Sequence, residues 1–296
     1  MATLREIKGR ISSVRSTLKI TSAMKLVSSS KLRRAQNAIE SMRPYQRQMD
    51  GILKALLEAG AKMPEAHVEK GAPLAIVAVS SNASLCGGFN SSVIAKAKAV
   101  LADNRDALVY CVGRKVADAM RKMGKPSPEN LNALSEKPAY GPAAELAGKL
   151  MEDFEEGRIS GVVLVYSHFV SAAKQVPVAE QLLPASEISP RGPEGIGRDD
   201  NVVISSEAEV EKSEYIVEPS AQEMLSALLP KSIKLKLYTA LLDSAASEHA
   251  ARTIAMQTAT DNGENLLAEL TLIYNKTRQQ KITTEILDLA GGKIEE

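Results

Sequence analysis

Aromatic residues make up only 3% of this 296-residue chain, and tryptophan is absent. Aromatic side chains supply much of the bulky wall of a ligand cavity. Their scarcity argues against a deep pocket and for helix seams built from alanine and leucine. Cysteine is scarcer still. Cys86 and Cys111 are too few to staple a chain of this length, which points to a reducing compartment. Histidine occurs three times, at His67, His168 and His249, and no metal-ligand spacing appears. No run approaches the roughly 18 apolar residues of a membrane-spanning helix. The opening residues lack the charged-then-apolar pattern of a signal peptide.

What is present is an ordinary apolar fraction, 44%, enough for a real core. The length allows one large domain or two smaller ones. Net charge is +1 but unevenly spread. Residues 1–50 hold eleven Lys and Arg against Glu6, Glu40 and Asp50, whereas acids slightly outnumber bases from residue 220 onward. The first forty residues are rich in Ser and Arg and poor in acid, as organellar transit peptides are. The plainer reading is a helix, because its pattern continues unbroken to about residue 58.

Both ends predict long helices. Apolar residues recur in steps of three and four at Leu4, Ile7, Ile11, Val14 and Leu18, then at Met24, Val27, Leu32, Ala35, Ile39 and Met42. Pro44 predicts an interruption or kink. The stripe resumes at Met49, Ile52, Leu53, Leu56 and Leu57 and stops at Gly60 and Pro64. At the other end, Ser220 after Pro219 is a good N-cap and Glu223 completes a capping box. Pro230 predicts a kink or break. Leu235, Tyr238, Leu242, Ala245, His249, Thr253, Met256, Thr260, Gly263, Leu267, Leu270, Tyr274, Thr277 and Lys281 then keep helical spacing. A helix from Lys231 to Leu289 would reach about 80–90 Å, too long for one globule, so part of it must project. Folded against each other, the two ends make a shaft. Its seam is rich in Ala, Ser, Thr and Gly, where a two-stranded coiled coil normally has Ile, Val or Leu. Such a seam buries little apolar area and suits a shaft supported by a surrounding partner.

Residues 72–218 change character. PLAIVAVSS (73–81), ALVYCVG (107–113) and SGVVLVYSHF (160–169) predict buried strands. Helical stretches at 90–103, 114–123 and 142–156 separate them. KQVPVAEQLLP (174–184) and EYIVEP (214–219) predict edge strands, and 185–213 a surface excursion. The first strand leads into SSNASLCGGFN (80–90). A Gly pair between strand and helix invites a phosphate-loop reading, but neither Gly-x-x-x-x-Gly-Lys-Ser/Thr nor Gly-x-Gly-x-x-Gly follows a strand. Gly87 and Gly88 read as turn glycines, Asn90 as a helix N-cap, and Cys86 as a buried structural thiol.

Three stretches now acquire a common meaning. IKGRISSVRSTLKITSAMKLVSSSKLRRAQ (7–36), SSNASLCGGFN, and EHAARTIAMQTATDNGENLLAELTLIYNKTRQQKITTEILDLAGG (248–292) resemble the gamma subunit of F-type ATP synthases, bacterial type, over essentially the full length. The pairing of KIT-x-AM with YNKTRQ and IT-x-E is the specific part. The chain departs from the family at Asn82, Ala83 and Ser84, where Asp, a basic residue and Gly are usual. It departs again at Thr253, usually Met, and at Gly292-Lys293, usually Gly-Ala.

The resemblance implies an α/β fold class: a long antiparallel coiled coil of the N- and C-terminal helices (1–58 and 220–296) plus a Rossmann-like α/β foot (72–218). It implies a non-catalytic central-stalk rotor, without cofactor or metal, coupling rotation of the membrane ring to conformational change in the catalytic beta subunits. The expected partners are the alpha and beta subunits of the catalytic hexamer, the epsilon subunit and the membrane c-ring, with one copy per complex and no nucleic acid. The expected place is the cytoplasmic face of the bacterial inner membrane, peripherally bound. Arg252, Arg278, Gln279, Thr283 and Glu285 match positions that meet beta-subunit loops gripping the shaft. Met24 and Lys25 match positions passing the lower part of the beta subunits. Chloroplast relatives carry an inserted regulatory cysteine pair, and here no cysteine follows Cys111. Two other classes remain: a basic coiled-coil nucleic-acid-binding protein, which lacks aromatic interleaving, and an enzyme of the α/β domain, which lacks a coherent site.

Overall fold

The computed structural model describes residues 3–63, 71–184 and 217–291. The chain forms two compact units, one of residues 31–251 and one of residues 1–30 with 252–296. Two helices run through both, α1 (Leu4–Glu58) and α6 (Ala221–Gly291). Neither proline breaks its helix. Pro44 lies inside α1 and Pro230 inside α6. Pro44 and Glu40 are both exposed, so water can satisfy the Glu40 carbonyl that loses its helical donor.

The larger unit holds a four-stranded sheet in the order β2-β1-β3-β4. Its strands are β1 (Leu74–Val79), β2 (Leu108–Val112), β3 (Gly161–Phe169) and β4 (Gln175–Leu183). β1 pairs in parallel with β2 and β3, and β4 closes the edge antiparallel to β3. The parallel pairs need helical crossovers. α2 (Phe89–Asp103) links β1 to β2, and α3 (Arg114–Lys122), α4 (Asn132–Glu136) and α5 (Tyr140–Glu155) link β2 to β3. α4 was not predicted, being a single turn too short to show a period. The tail of EYIVEP, 217–219, is not a strand. Its first residues and the predicted excursion at 185–213 lie outside the described residues.

Period-2 alternation sends β1 side chains to two cores. Ile76 and Ala78 join Val93, Ala97 and Leu101 of α2 and Val116 and Met120 of α3. Ala75, Val77 and Val79 join Leu146, Leu150 and Phe154 of α5 and Leu229, Ile233, Leu237 and Leu241 of α6. Both faces are covered, which explains why the first strand reads as an unbroken apolar run.

The C-terminus of α1 folds back on the start of α6. Gly60, at φ 92°, donates its N–H to Leu57 O at 3.0 Å and hands the chain to Ala61, whose N–H donates to Leu56 O at 3.1 Å. That pair of bonds is a Schellman stop. Met49, Leu53, Leu56 and Ala61 pack with Leu225. Gln222 grips the backbone of Lys62, accepting from its N–H at 2.9 Å and donating to its carbonyl at 3.0 Å. As predicted, Ser220 accepts the N–H of Glu223, at 3.2 Å.

Candidate partner-contact site

The smaller unit pairs residues 4–30 of α1 with 252–291 of α6. The hydroxyls of Thr21 and Thr260 are hydrogen-bonded at 2.9 Å, and Gly263 faces Leu18. Lower numbers on one helix meet higher numbers on the other, so the pair is antiparallel. Its stripe on α1 runs Ile7, Ile11, Val14, Leu18, Thr21, Lys25, Ser28, all buried or half-buried. This corrects one expectation. Val27 is 56% exposed and Ser28 takes the inner slot at 3%, because three-four spacing carried forward from Leu18 passes through Thr21 and Ser28. Apolar anchors are few: Ile7, Met256 and Leu270 are the fully buried ones among the described residues of this unit.

The register fixed by Thr21 and Gly263 exhausts α1 near Leu4, opposite Thr277. From Arg278 to Ala290 every side chain is exposed. Lys281 is therefore not a seam residue. It stands in solvent and pairs with Glu285 one turn on, at 3.7 Å. On the same lone helix Ile282, Ile286, Leu287 and Leu289 are bare, Leu289 to 76%. Exposed apolar residues at this density mark a surface that a partner covers.

Six of the seven predicted contact residues fall into two groups. Arg278, Gln279, Thr283 and Glu285 share the lone helical end, where the Thr283 hydroxyl donates to Gln279 O at 2.9 Å. Met24 and Lys25 are half-buried, and the register sets Lys25 opposite Met256, one turn from Arg252. Arg252 differs from the others. It is 8% exposed and lies about 40 Å along α6 from Arg278. The apolar residues of the lone end were not singled out in the sequence. The signal was the length mismatch between the two helices.

The turn after β1 leaves no phosphate cradle. Asn90 does not cap α2. Its Oδ1 accepts from the Ser81 N–H and hydroxyl, each at 3.0 Å, and its Nδ2 donates to Cys86 Sγ at 3.0 Å. Gly88 occupies the cap position without a side-chain bond. Asn82 accepts from the Arg114 N–H at 3.0 Å and donates to Asn132 O at 2.9 Å. Polar groups that could face an anion are spent on one another. Cys86 and Cys111 are both free and buried, and burial pushes the Cys111 thiol up to about 11. Among the described residues no cluster of His, Cys, Asp or Glu could hold a metal ion, and no helix is long and apolar enough to cross a membrane.

Comparison with known proteins agrees with this architecture. A family model described as ATP synthase matches residues 3–293. The ATP synthase gamma chain of Phocaeicola vulgatus is 44% identical, covering 99% of this chain and all of its own. That of Heliobacterium modesticaldum is 38% identical over 99% of this chain and 98% of its own. Among solved structures, a chain of the Euglena gracilis mitochondrial ATP synthase OSCP/F1/c-ring assembly superposes with a TM-score of 0.63, covering 98% of this chain and 93% of its own at 17% identity. A chain of the Tetrahymena thermophila central stalk/c-ring gives 0.55, covering 81% and 99% at 22% identity. The chain belongs to the ATP synthase gamma chain family.

Proposed function

We propose that this gamma chain is the central-stalk rotor of a proton-translocating F-type ATP synthase. In this reading residues 1–58 and 220–296 act as the shaft and 72–218 as the foot. The shaft stands within the alpha and beta subunits of the catalytic hexamer. The foot joins the epsilon subunit and the membrane c-ring, with one copy per complex, at the cytoplasmic face of the inner membrane. The observation that carries the reading is the bare apolar end of α6, Ile282 to Leu289, on a helix whose partner has run out. Such an end is unfavourable in water and favourable inside a sleeve.

The chain itself does no chemistry in this account. Each angle of an asymmetric shaft presents a different set of contacts to each beta subunit, and a difference in contact free energy between beta conformations is what shifts their populations. Arg278, Gln279, Thr283 and Glu285 supply exchangeable hydrogen bonds at the end of the shaft. Met24 and Lys25 supply contacts further along it, and Arg252 offers only its exposed margin there.

Purification of the tagged chain from its source, followed by weighing the intact particle, tests the proposal. The expected particle contains three alpha and three beta subunits per copy of this chain, by the hexamer reading above. A chain that purifies alone, or with nucleic acid in place of those subunits, contradicts it.

A further inference from the structure

The end of β3 is held to α6 at three successive residues. The Ser247 hydroxyl donates to Ser167 O at 2.9 Å. His168 Nδ1 pairs with Asp243 Oδ2. The Phe169 N–H donates to the other carboxylate oxygen, Asp243 Oδ1, at 3.3 Å. One carboxylate thus clasps a side chain and the next backbone amide, while the residue one helical turn on holds the preceding carbonyl. Both partners of the ion pair are half-buried, at 30% and 16% exposure.

We infer that His168 and Asp243 form a proton-gated latch between strand β3 and helix α6, closed in acid and loosened in alkali. The neighbouring elements favour the charged imidazole. Asp243 on α6 raises the His168 pKa chiefly through the hydrogen bond, burial opposes it, the charges of Asp243 and of Glu180 on β4 add to the rise, and Arg43 on α1 opposes it. A histidine raised in the folded state contributes stability that is complete below its ordinary value of about 6.5 and is lost as pH climbs through the folded value. The gate therefore acts on the alkaline side of that ordinary value.

The groups around the latch are tied to one another. Lys236 pairs with Glu180 Oε1 at 2.8 Å, and Tyr166 donates to Glu180 Oε2 at 3.0 Å. Burial first, then Glu180 and Asp243, push the Tyr166 hydroxyl far upward. Asp50 on α1 faces Lys236 and Glu180. Burial raises its carboxyl above the ordinary value, Lys236 opposes the rise and Glu180 adds to it. Loss of the proton from His168 leaves the Ser247 and Phe169 bonds in place, so the junction slackens without parting. The latch is a property of the chain and does not depend on the rotor reading.

Two measurements on the full chain test it. In an NMR titration, the His168 Cε1–H resonance, identified by its loss in His168→Gln, should titrate above the ordinary histidine value and return to it in Asp243→Asn. By hydrogen exchange, the amides around Phe169 should be severalfold better protected in the wild type than in Asp243→Asn at about pH 6. That advantage should narrow severalfold by about pH 9, keeping only the part that the Phe169 bond supplies. A His168 that titrates at or below the ordinary value overturns the latch, and so does a protection ratio that ignores pH. If Asp243→Asn does not fold, His168→Gln serves as the exchange reference and the wild-type titration decides alone.

Discussion

Gly263 of α6 faces Leu18 of α1 so closely that a Cβ at 263 would stand 2.7 Å from Leu18 Cδ2 and 3.3 Å from its Cγ. The obstacle is the far end of a flexible side chain, which can rotate away. Gly263→Ala should therefore be tolerated, since the Leu18 adjustment offsets a helix-propensity gain of about 0.5–1 kcal/mol. Gly263→Leu should overpack the seam, at a cost of about 1–3 kcal/mol, and break the neighbouring Thr21–Thr260 bond. Thermal unfolding of the full chain followed by circular dichroism separates the two. Equal stability of both variants would mean that the helices do not approach here as described.

Asn82 shows what its departure from the family pattern does. An aspartate would keep the acceptor for the Arg114 N–H but could not donate to Asn132 O. It would instead set a carboxylate against that carbonyl. Asn82→Asp should destabilise by about 1–3 kcal/mol and speed amide exchange in α4 more than in α3. A variant as stable as the parent would remove Asn82 from this role. The neighbouring Ser84 needs no such compensation, because Leu85 is the non-glycine residue with a positive φ, 65°, in this turn.

The elements with long periods were legible in the sequence, and the exceptions have physical causes. Strands β1 to β4 and the two end helices emerged from apolar spacing, since burial on one or two faces leaves that trace. The helices continue through Pro44 and Pro230, where a kink or break was expected, because propensity counts the lost donor and not the water or packing that tolerates it. Val27 was misplaced because two inner slots, Thr21 and Ser28, carry polar residues that the apolar count passed over. That part of the C-terminal helix projects was legible from its length, whereas where the pairing ends became visible only when the register with α1 was fixed. The His168–Asp243 clasp joins residues 75 apart, and neither local spacing nor periodicity encodes such a pair.

The thiols should be silent. Cys86 and Cys111 are each 1% exposed, and the Cys111 thiol is held at about 11, mainly by burial, so little thiolate forms at neutral pH. A thiol reagent should label neither residue in the folded chain and both after denaturation. Dithiothreitol should leave ATP hydrolysis by the complex nearly unchanged. Severalfold activation that is lost in Cys86→Ser/Cys111→Ser would contradict this.

Met24 is half-buried beside the seam residue Lys25. A second positive charge at this place would seek a carboxylate on the surrounding subunits, and a desolvated pair there would favour one shaft angle over the others. Met24→Lys should lower proton pumping per ATP hydrolysed while leaving assembly intact. The measurement is quenching of a pH-sensitive dye in vesicles, normalised to hydrolysis. An unchanged ratio would show that this stretch of α1 does not meet a catalytic subunit.

In the rotor reading this chain turns inside the hexamer. Its most direct test fixes the beta subunits of the purified complex to a surface and attaches a gold bead to an engineered cysteine on the foot, in a Cys86→Ser/Cys111→Ser background. The bead is then followed as ATP is hydrolysed. The bead should rotate in one direction, in three steps per turn, one per catalytic beta subunit under the hexamer reading. Steady ATP hydrolysis with a bead that only jitters about one angle would contradict it.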